Sequence, residues 1–188
     1  AVINNKADDK VLYGNATVFS ENKSTGATFF VNKRDRDWYD YNNDNYSEIP
    51  IVKNNNFGVN FFFLPSKNQK FEVNLASINE YRYGGEMVNR APHLSMQAEE
   101  REHDIILGNL DYQINFNQGS SSLITYLASQ KTQREHYTGI RPEVGSVNDE
   151  VHLSTPPYGS SINIANQIGF QLNHKINKFF GTNVFSIG

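Results

Sequence analysis

A chain of 188 residues with a formal net charge of −3 is long enough for one domain with a sizeable core, and it shows no electrostatic footprint for nucleic acid. It contains no cysteine, which excludes a disulfide framework and a thiolate metal site. No apolar run approaches the ~20 residues of a membrane helix, and 13% of the residues are aromatic, a composition that suits a β-barrel and equally a soluble β-sandwich.

The elements are read from period-two alternation. Residues 1–9 are polar and lack the apolar core of a signal peptide. Weak strands are expected over 10–20 and 26–37, joined by a tight polar turn at 20–26, and a long polar loop follows at 35–56. Over 57–63, Phe57, Val59, Phe61 and Phe63 oppose Gly58 and Asn60, with Phe62 breaking the polar face. After a turn at 65–70, the strand 70–83 sets Phe71, Val73 and Leu75 against Glu72 and Asn74. A long loop covers 84–102, and the stretch 97–103 favours a short helix without a good cap. The clearest strand is 104–116, where Ile106, Leu110, Tyr112, Ile114 and Phe116 oppose Asn109, Asp111, Gln113 and Asn115. A turn at 117–121, a strand over 122–137 and a third long loop at 138–160 come next. The strand 163–176, a turn at 177–181 and a last strand from 182 to the end complete about eight strands, with no convincing helix and no second domain.

Tight turns on one rim and long loops on the other are the pattern of an antiparallel up-and-down outer-membrane β-barrel. Tyr81, Tyr83, Tyr112, Phe116, Phe179 and Phe180 stand near the ends of the apolar stretches, as an interfacial girdle would. A soluble β-sandwich produces the same alternation by burying one face.

The run Asn79-Glu-Tyr-Arg-Tyr-Gly-Gly85, then Arg90-Ala-Pro-His93 and the stretch 97–103, resembles TonB-dependent outer-membrane receptors of Bacteroidetes, nearest the vitamin B12 (cobamide) group, with siderophore and haem receptors behind it. The aromatic, acidic loop from Asp40 to Pro50, Asn109-Leu-Asp-Tyr112 and Tyr137-Thr-Gly139 fit the same likeness. The resemblance implies that residues 1–188 are one segment, about eight strands, of a larger barrel of roughly 22 strands. The ending Phe185-Ser-Ile-Gly188, without a terminal aromatic, agrees with a segment. It also implies import of a scarce nutrient, coupling to TonB through a plug outside these residues, a surface lipoprotein as a further partner, contact with outer-membrane lipid, and no bond chemistry. Two alternatives stay open: a carbohydrate-binding sandwich stacking sugars on Trp38, Tyr39 and Tyr41, and an independent eight-stranded barrel.

Candidate site residues lie in the loops and at strand ends. Asp35, Asp37, Asp40 and Asp44 form an oxygen-rich group that suits Ca²⁺, against the plainer reading of a solvated acidic loop; the EF-hand spacing fails, with Asp40 where Gly is required and Tyr46 where Glu is required. Ligand contacts are expected from Trp38, Tyr39, Tyr41, Arg82, Arg90, His93 and His152. Glu80, Arg82, Glu86 and Arg90 stand where a strand meets its loop, and Glu80 and Arg82 form either a lumen wall beside a ligand or a salt-bridge ladder within the wall. His93, His103, His136, His152 and His174 have no metal-ligand spacing, and His174 falls on the apolar face near a turn. No G-x-S-x-G, H-E-x-x-H, P-loop or dinucleotide fingerprint is present.

Overall fold

The computed structural model describes residues 8–86, 90–176 and 181–188. Eight antiparallel strands run in chain order across one open sheet: β1 (Asp9–Phe19), β2 (Thr25–Arg36), β3 (Ile51–Ser66), β4 (Gln69–Gly85), β5 (Gln97–Phe116), β6 (Ser121–Ile140), β7 (Gly159–Ile176) and β8 (Asn183–Ile187). The meander follows from the tight turns, which leave no length for a crossover. Ser66 and Gln69 close one hairpin over two residues, and between β5 and β6 the chain turns through positive φ at Asn117, Gln118 and Gly119. The expected turn at 177–181 falls largely outside the described residues, as do Phe179 and Phe180.

The strands extend beyond the alternating segments. β5 and β6 reach 20 residues each, and β3 begins at Ile51. The three long loops therefore shrink to 37–50, 86–96 and 141–158. The stretch 97–103, expected as helix-friendly, is the start of β5: Gln97–Ile140, Glu99–Thr138 and Arg101–His136 are successive partners on β6. Pairing on both sides outweighs a weak local preference. One helix was not foreseen, α1 (Val147–Ser154), inside the third loop.

Register sorts the side chains onto two faces. One face gathers Val31, Phe57, Val59, Phe61, Phe71, Val73, Leu75, Ile106, Leu110, Leu127, Ile168 and Phe170. Adjacent rows meet, as where Phe71 stacks on Tyr112 with centroids 4.5 Å apart. The other face carries Asn32, Asn56, Asn60, Asn74, Asn109, Gln113, Gln167 and Gln171. Its amides bond laterally, as from Asn60 Nδ2 to Glu72 Oε1 at 2.8 Å. Glycines on this face lie under aromatic rings of the neighbouring strand: Phe30 covers Gly58, Phe62 covers Gly26 and Tyr126 covers Gly169. Each ring fills the gap that a missing Cβ leaves in the pleated surface.

No second layer covers the apolar face among the described residues, and Ile168 is 82% exposed. Among those residues the buried hydrophobic ones are only Val52, Tyr83, Ala98 and Tyr137, all at the long-loop end. β1 and β8 do not pair with each other, so both sheet edges are open.

Gly85 ends β4 with φ +107, and a Cβ there would lie 2.4 Å from the carbonyl oxygen of Gln97. Both its strain and its contact are with backbone, so Gly85→Ala is expected to cost about 1–3 kcal/mol, read as a lower urea midpoint by circular dichroism. An unchanged midpoint would show that the β4–β5 end relaxes freely.

Candidate functional site

The long-loop end is built by three loops that hold one another. Loop 37–50 closes on the bridge between Tyr39 and Ile49, then joins the end of β4: Ser47 N–H donates to the Gly85 carbonyl, and Gly85 N–H donates to Ser47 Oγ, both at 2.9 Å. Glu86 accepts from the Met96 backbone and pairs with Arg90 at 3.3 Å, tying loop 86–96 at its base.

α1 in the third loop starts on a serine cap. Ser146 Oγ accepts from Asp149 N–H, and Asp149 and Glu150 place negative charge in the first turn. Asp149 turns its carboxylate to Arg141, whose Nε and Nη2 donate at 2.6 and 2.9 Å. Arg141 Nη1 reaches the Leu94 carbonyl at 3.3 Å, so the ion pair joins loops two and three. The Asp149 carboxyl is held down to about 2, first by the Arg141 guanidinium and then by the Gly145 N–H.

Beneath this pair lies an aromatic cluster on the apolar-face side of the sheet. Tyr137 is fully buried beside Tyr83 and Ala98. Its ring lies 5.1 Å from Tyr158 and 6.2 Å from His152, and its hydroxyl is 3.3 Å from His152 Nε2. His152 Nε2 also bonds the His93 carbonyl at 3.0 Å, and His93 Nδ1 meets the Tyr158 hydroxyl at 3.1 Å. Tyr83 donates to the Glu86 carbonyl at 3.0 Å. Bonding a carbonyl requires His152 Nε2 to carry its proton, so the Tyr137 hydroxyl accepts from it, and burial raises the Tyr137 pKa and keeps the hydroxyl protonated.

On the amide-face side, the same end of the sheet forms a groove of about 580 Å³. Tyr46, Ser47 and Pro50 form one side, and Arg82, Gln97, Glu99, Arg101, Thr138 and Ile140 complete it. That volume is of the size that takes a small ligand.

The expected site residues are thereby divided. Arg82 lines the groove, paired with Glu80 at 2.9 Å along its own strand. His93 and His152 bond to each other's loops in the clasp, and Arg90 is paired with Glu86. Tyr39 and Tyr41 contact each other at 6.4 Å in loop 37–50, with Trp38 beside them and partly exposed. Tyr83, expected in an interfacial girdle, is instead buried in the clasp.

The four aspartates Asp35, Asp37, Asp40 and Asp44 are not gathered. Asp40 accepts from Asn43 and Asn45 N–H, and Asp44 from Tyr46 N–H and Asn42 Nδ2, which makes them turn-forming carboxylates. Asp35 faces away along β2 beside Lys53, and no group of three or more His, Asp or Glu among the described residues is placed to hold a metal. Backbone amides of the loop itself thus occupy oxygens of Asp40 and Asp44, as the plainer reading of an acidic turn has it.

Glu99, Arg101 and Thr138 were missed as groove residues. Their signal was register: Arg82, Arg101 and His136 fall in one cross-strand row only when 97–103 is a strand. No family model, curated protein or solved structure matches this chain.

The Arg141–Asp149 pair should be insensitive to pH over most of the range. Asp149 has a lowered folded pKa, so its contribution is complete above the unfolded value near 3.8 and is lost as pH falls through about 2. Protection of loop 141–158 from pepsin should hold down to about pH 4 and fade between there and 2. Asp149→Asn should expose the loop already at about pH 5; equal protection in that variant would refute the ion pair's role.

Proposed function

We propose that the sheet is part of the wall of an outer-membrane β-barrel of the TonB-dependent receptor type, with the apolar face toward lipid and the amide face toward the lumen. The observation that carries this reading is a wide apolar face left bare opposite an amide-rich one. A soluble sheet would cover that face with a second layer. The band on β5, from Ile106 to Phe116, spans about ten residue steps, or about 33 Å along the strand. A tilt of about 45° reduces this to ~23 Å of height, close to the ~25 Å apolar band of outer-membrane barrels.

Further support comes from the sheet's ends and edges. Short turns lie at one end and long, mutually bonded loops at the other. The upper halves of β5 and β6 would then project beyond the lipid as the loops' rigid base. His174, bonded to Ser121 Oγ at 2.8 Å near the short-turn end, would stand at the inner interface. The open edges of β1 and β8 favour continuation by further strands over a closed eight-stranded barrel. A sandwich, by contrast, needs a second sheet that the described residues do not supply.

On this reading the chain performs no bond chemistry. It encloses a plug that engages TonB, and its loops admit a scarce nutrient, a cobamide in the first instance and otherwise an iron-siderophore or haem. The sequence likeness around Glu80–Gly85 and His93 supports the family; growth on limiting cobamide after gene deletion tests the ligand.

The location is tested on the two faces at one depth. Leu110→Arg should cost about 2–4 kcal/mol toward lipid and deplete the full-length protein from the washed outer-membrane fraction. Asn109→Arg, on the amide face, should leave assembly intact. Recovery of the unmodified protein in the soluble fraction would overturn the proposal.

A further inference from the structure

The cationic side chains at the long-loop end are sorted by type. The chain has seven arginines. Arg90 and Arg141 hold loops together. The other five stand on the amide face in two adjacent cross-strand rows. One row runs Arg36, Val52, Arg82, Arg101, His136; the next runs Arg34, Asn54, Glu80, His103, Arg134. At the same end, Lys10, Lys33, Lys53 and Lys131 all fall on the opposite face. Arginine's planar fork binds carboxylate and phosphate in pairs of hydrogen bonds, which lysine cannot do.

Arg82 and Arg101 are direct cross-strand partners, a like-charge pairing that destabilises a sheet unless it is offset. Each is offset by an acid two residues away on its own strand: Glu80 at 2.9 Å and Glu99 at 2.6 Å. β4 and β5 are antiparallel, and Glu80 precedes Arg82 as Glu99 precedes Arg101, so the two acids lie toward opposite ends of the sheet. Each acid thus holds its own guanidinium toward a different end of the strands. Both arginine side chains remain 54% exposed. Arg134, on the next strand, has no ion pair or side-chain hydrogen bond among the described residues. Five arginines against Asp9, Glu80 and Glu99 leave this belt with a net charge of +2. Farther down the same face the sign reverses, where Glu72 and Asp111 are direct partners.

We infer that the groove on the amide face binds a small solute carrying two or more carboxylate or phosphate groups, held by Arg82 and Arg101 with Arg134 extending the site. In this assignment Glu99 is a competing counter-ion that the ligand displaces from Arg101. The inference rests on the barrel reading only in calling the amide face a lumen.

The test is isothermal titration of the full-length protein in detergent at low salt. The probes are tricarballylate, its uncharged trimethyl ester, and inorganic pyrophosphate. Tricarballylate or pyrophosphate should bind and the ester should not, and whichever anion binds tighter tells carboxylate from phosphate. Added sodium chloride should weaken the binding. Arg82→Gln and Arg101→Gln should each lower affinity roughly tenfold or more. Glu99→Gln should raise it, an effect that a wall-stabilising ion pair would not produce. Circular dichroism verifies that each variant is folded. No binding of either anion, or equal binding by the folded Arg82→Gln/Arg101→Gln double variant, overturns the inference. Failure in a protein that resides in the outer membrane would sink the site alone. Binding by a soluble protein would uphold the site and sink the barrel.

Discussion

Everything in this molecule depends on an antiparallel hydrogen-bond ladder that fixes the register of each strand on the next from β1 to β8. Side chains alternate with a period of two, so a slip of one residue would exchange the two faces of a strand. In register, most of the large apolar residues share one surface and most of the amides share the other. Out of register by one, Phe71, Val73 and Leu75 would sit among Asn60 and Asn109. Glycines reinforce the choice: Phe30, Phe62 and Tyr126 each fit over a glycine directly opposite, and a slipped strand would set a ring against a Cβ.

The same ladder distributes stability unevenly. Along most of the sheet a side chain meets only its lateral neighbours, and the apolar face stays bare. Among the described residues a conventional core exists only at the long-loop end, where Tyr83, Ala98 and Tyr137 are covered by the loops. There the chain uses polar contacts in a setting that makes them count. Arg141 and Asp149 are both well buried, and their pair is satisfied on every side by Leu94, Gly145 and the helix cap. Loops 86–96 and 141–158 are thus fastened to each other, and loop 37–50 is anchored to Gly85. A lip of this kind, standing on strands of up to 20 residues, presents a preformed groove at its base.

Electrostatics gives the two faces different characters at that end. Lysines, with flexible hydrated heads, stand on the face that the apolar band shares. Arginines, with planar forks, stand on the amide face beside the groove. The separation follows from register alone, since Lys33, Arg34, Asp35 and Arg36 are consecutive residues of one strand. Acids on the arginine strands keep the cations apart without neutralising the belt as a whole.

Much of the fold was legible from residue order. The alternation of 104–116 and 163–176, the polar turns and the long loops were enough for the strand count, the meander and the identity of both faces, because period two is a local property. The faces of Glu72, Glu80 and Arg82 against Tyr81 and Tyr83 followed from it. The outer halves of β3, β5 and β6 were not legible. The polar stretch Lys53-Asn-Asn-Asn56 and the charged run 97–103 do not alternate, and only partner strands on both sides make them extended. The cap Ser146–Asp149 was a readable signal for α1, but eight residues without apolar periodicity hid it. What the chain's sequence determined by itself was the two-faced strand, since a side chain's face depends only on its own position. What the tertiary structure decided was which residues meet across strands and loops: the Arg82–Arg101 row, the Arg141–Asp149 clasp, the burial of Tyr137 and the contacts of His93 and His152 between two loops. Those contacts join positions far apart in the chain, and register and loop docking bring them together.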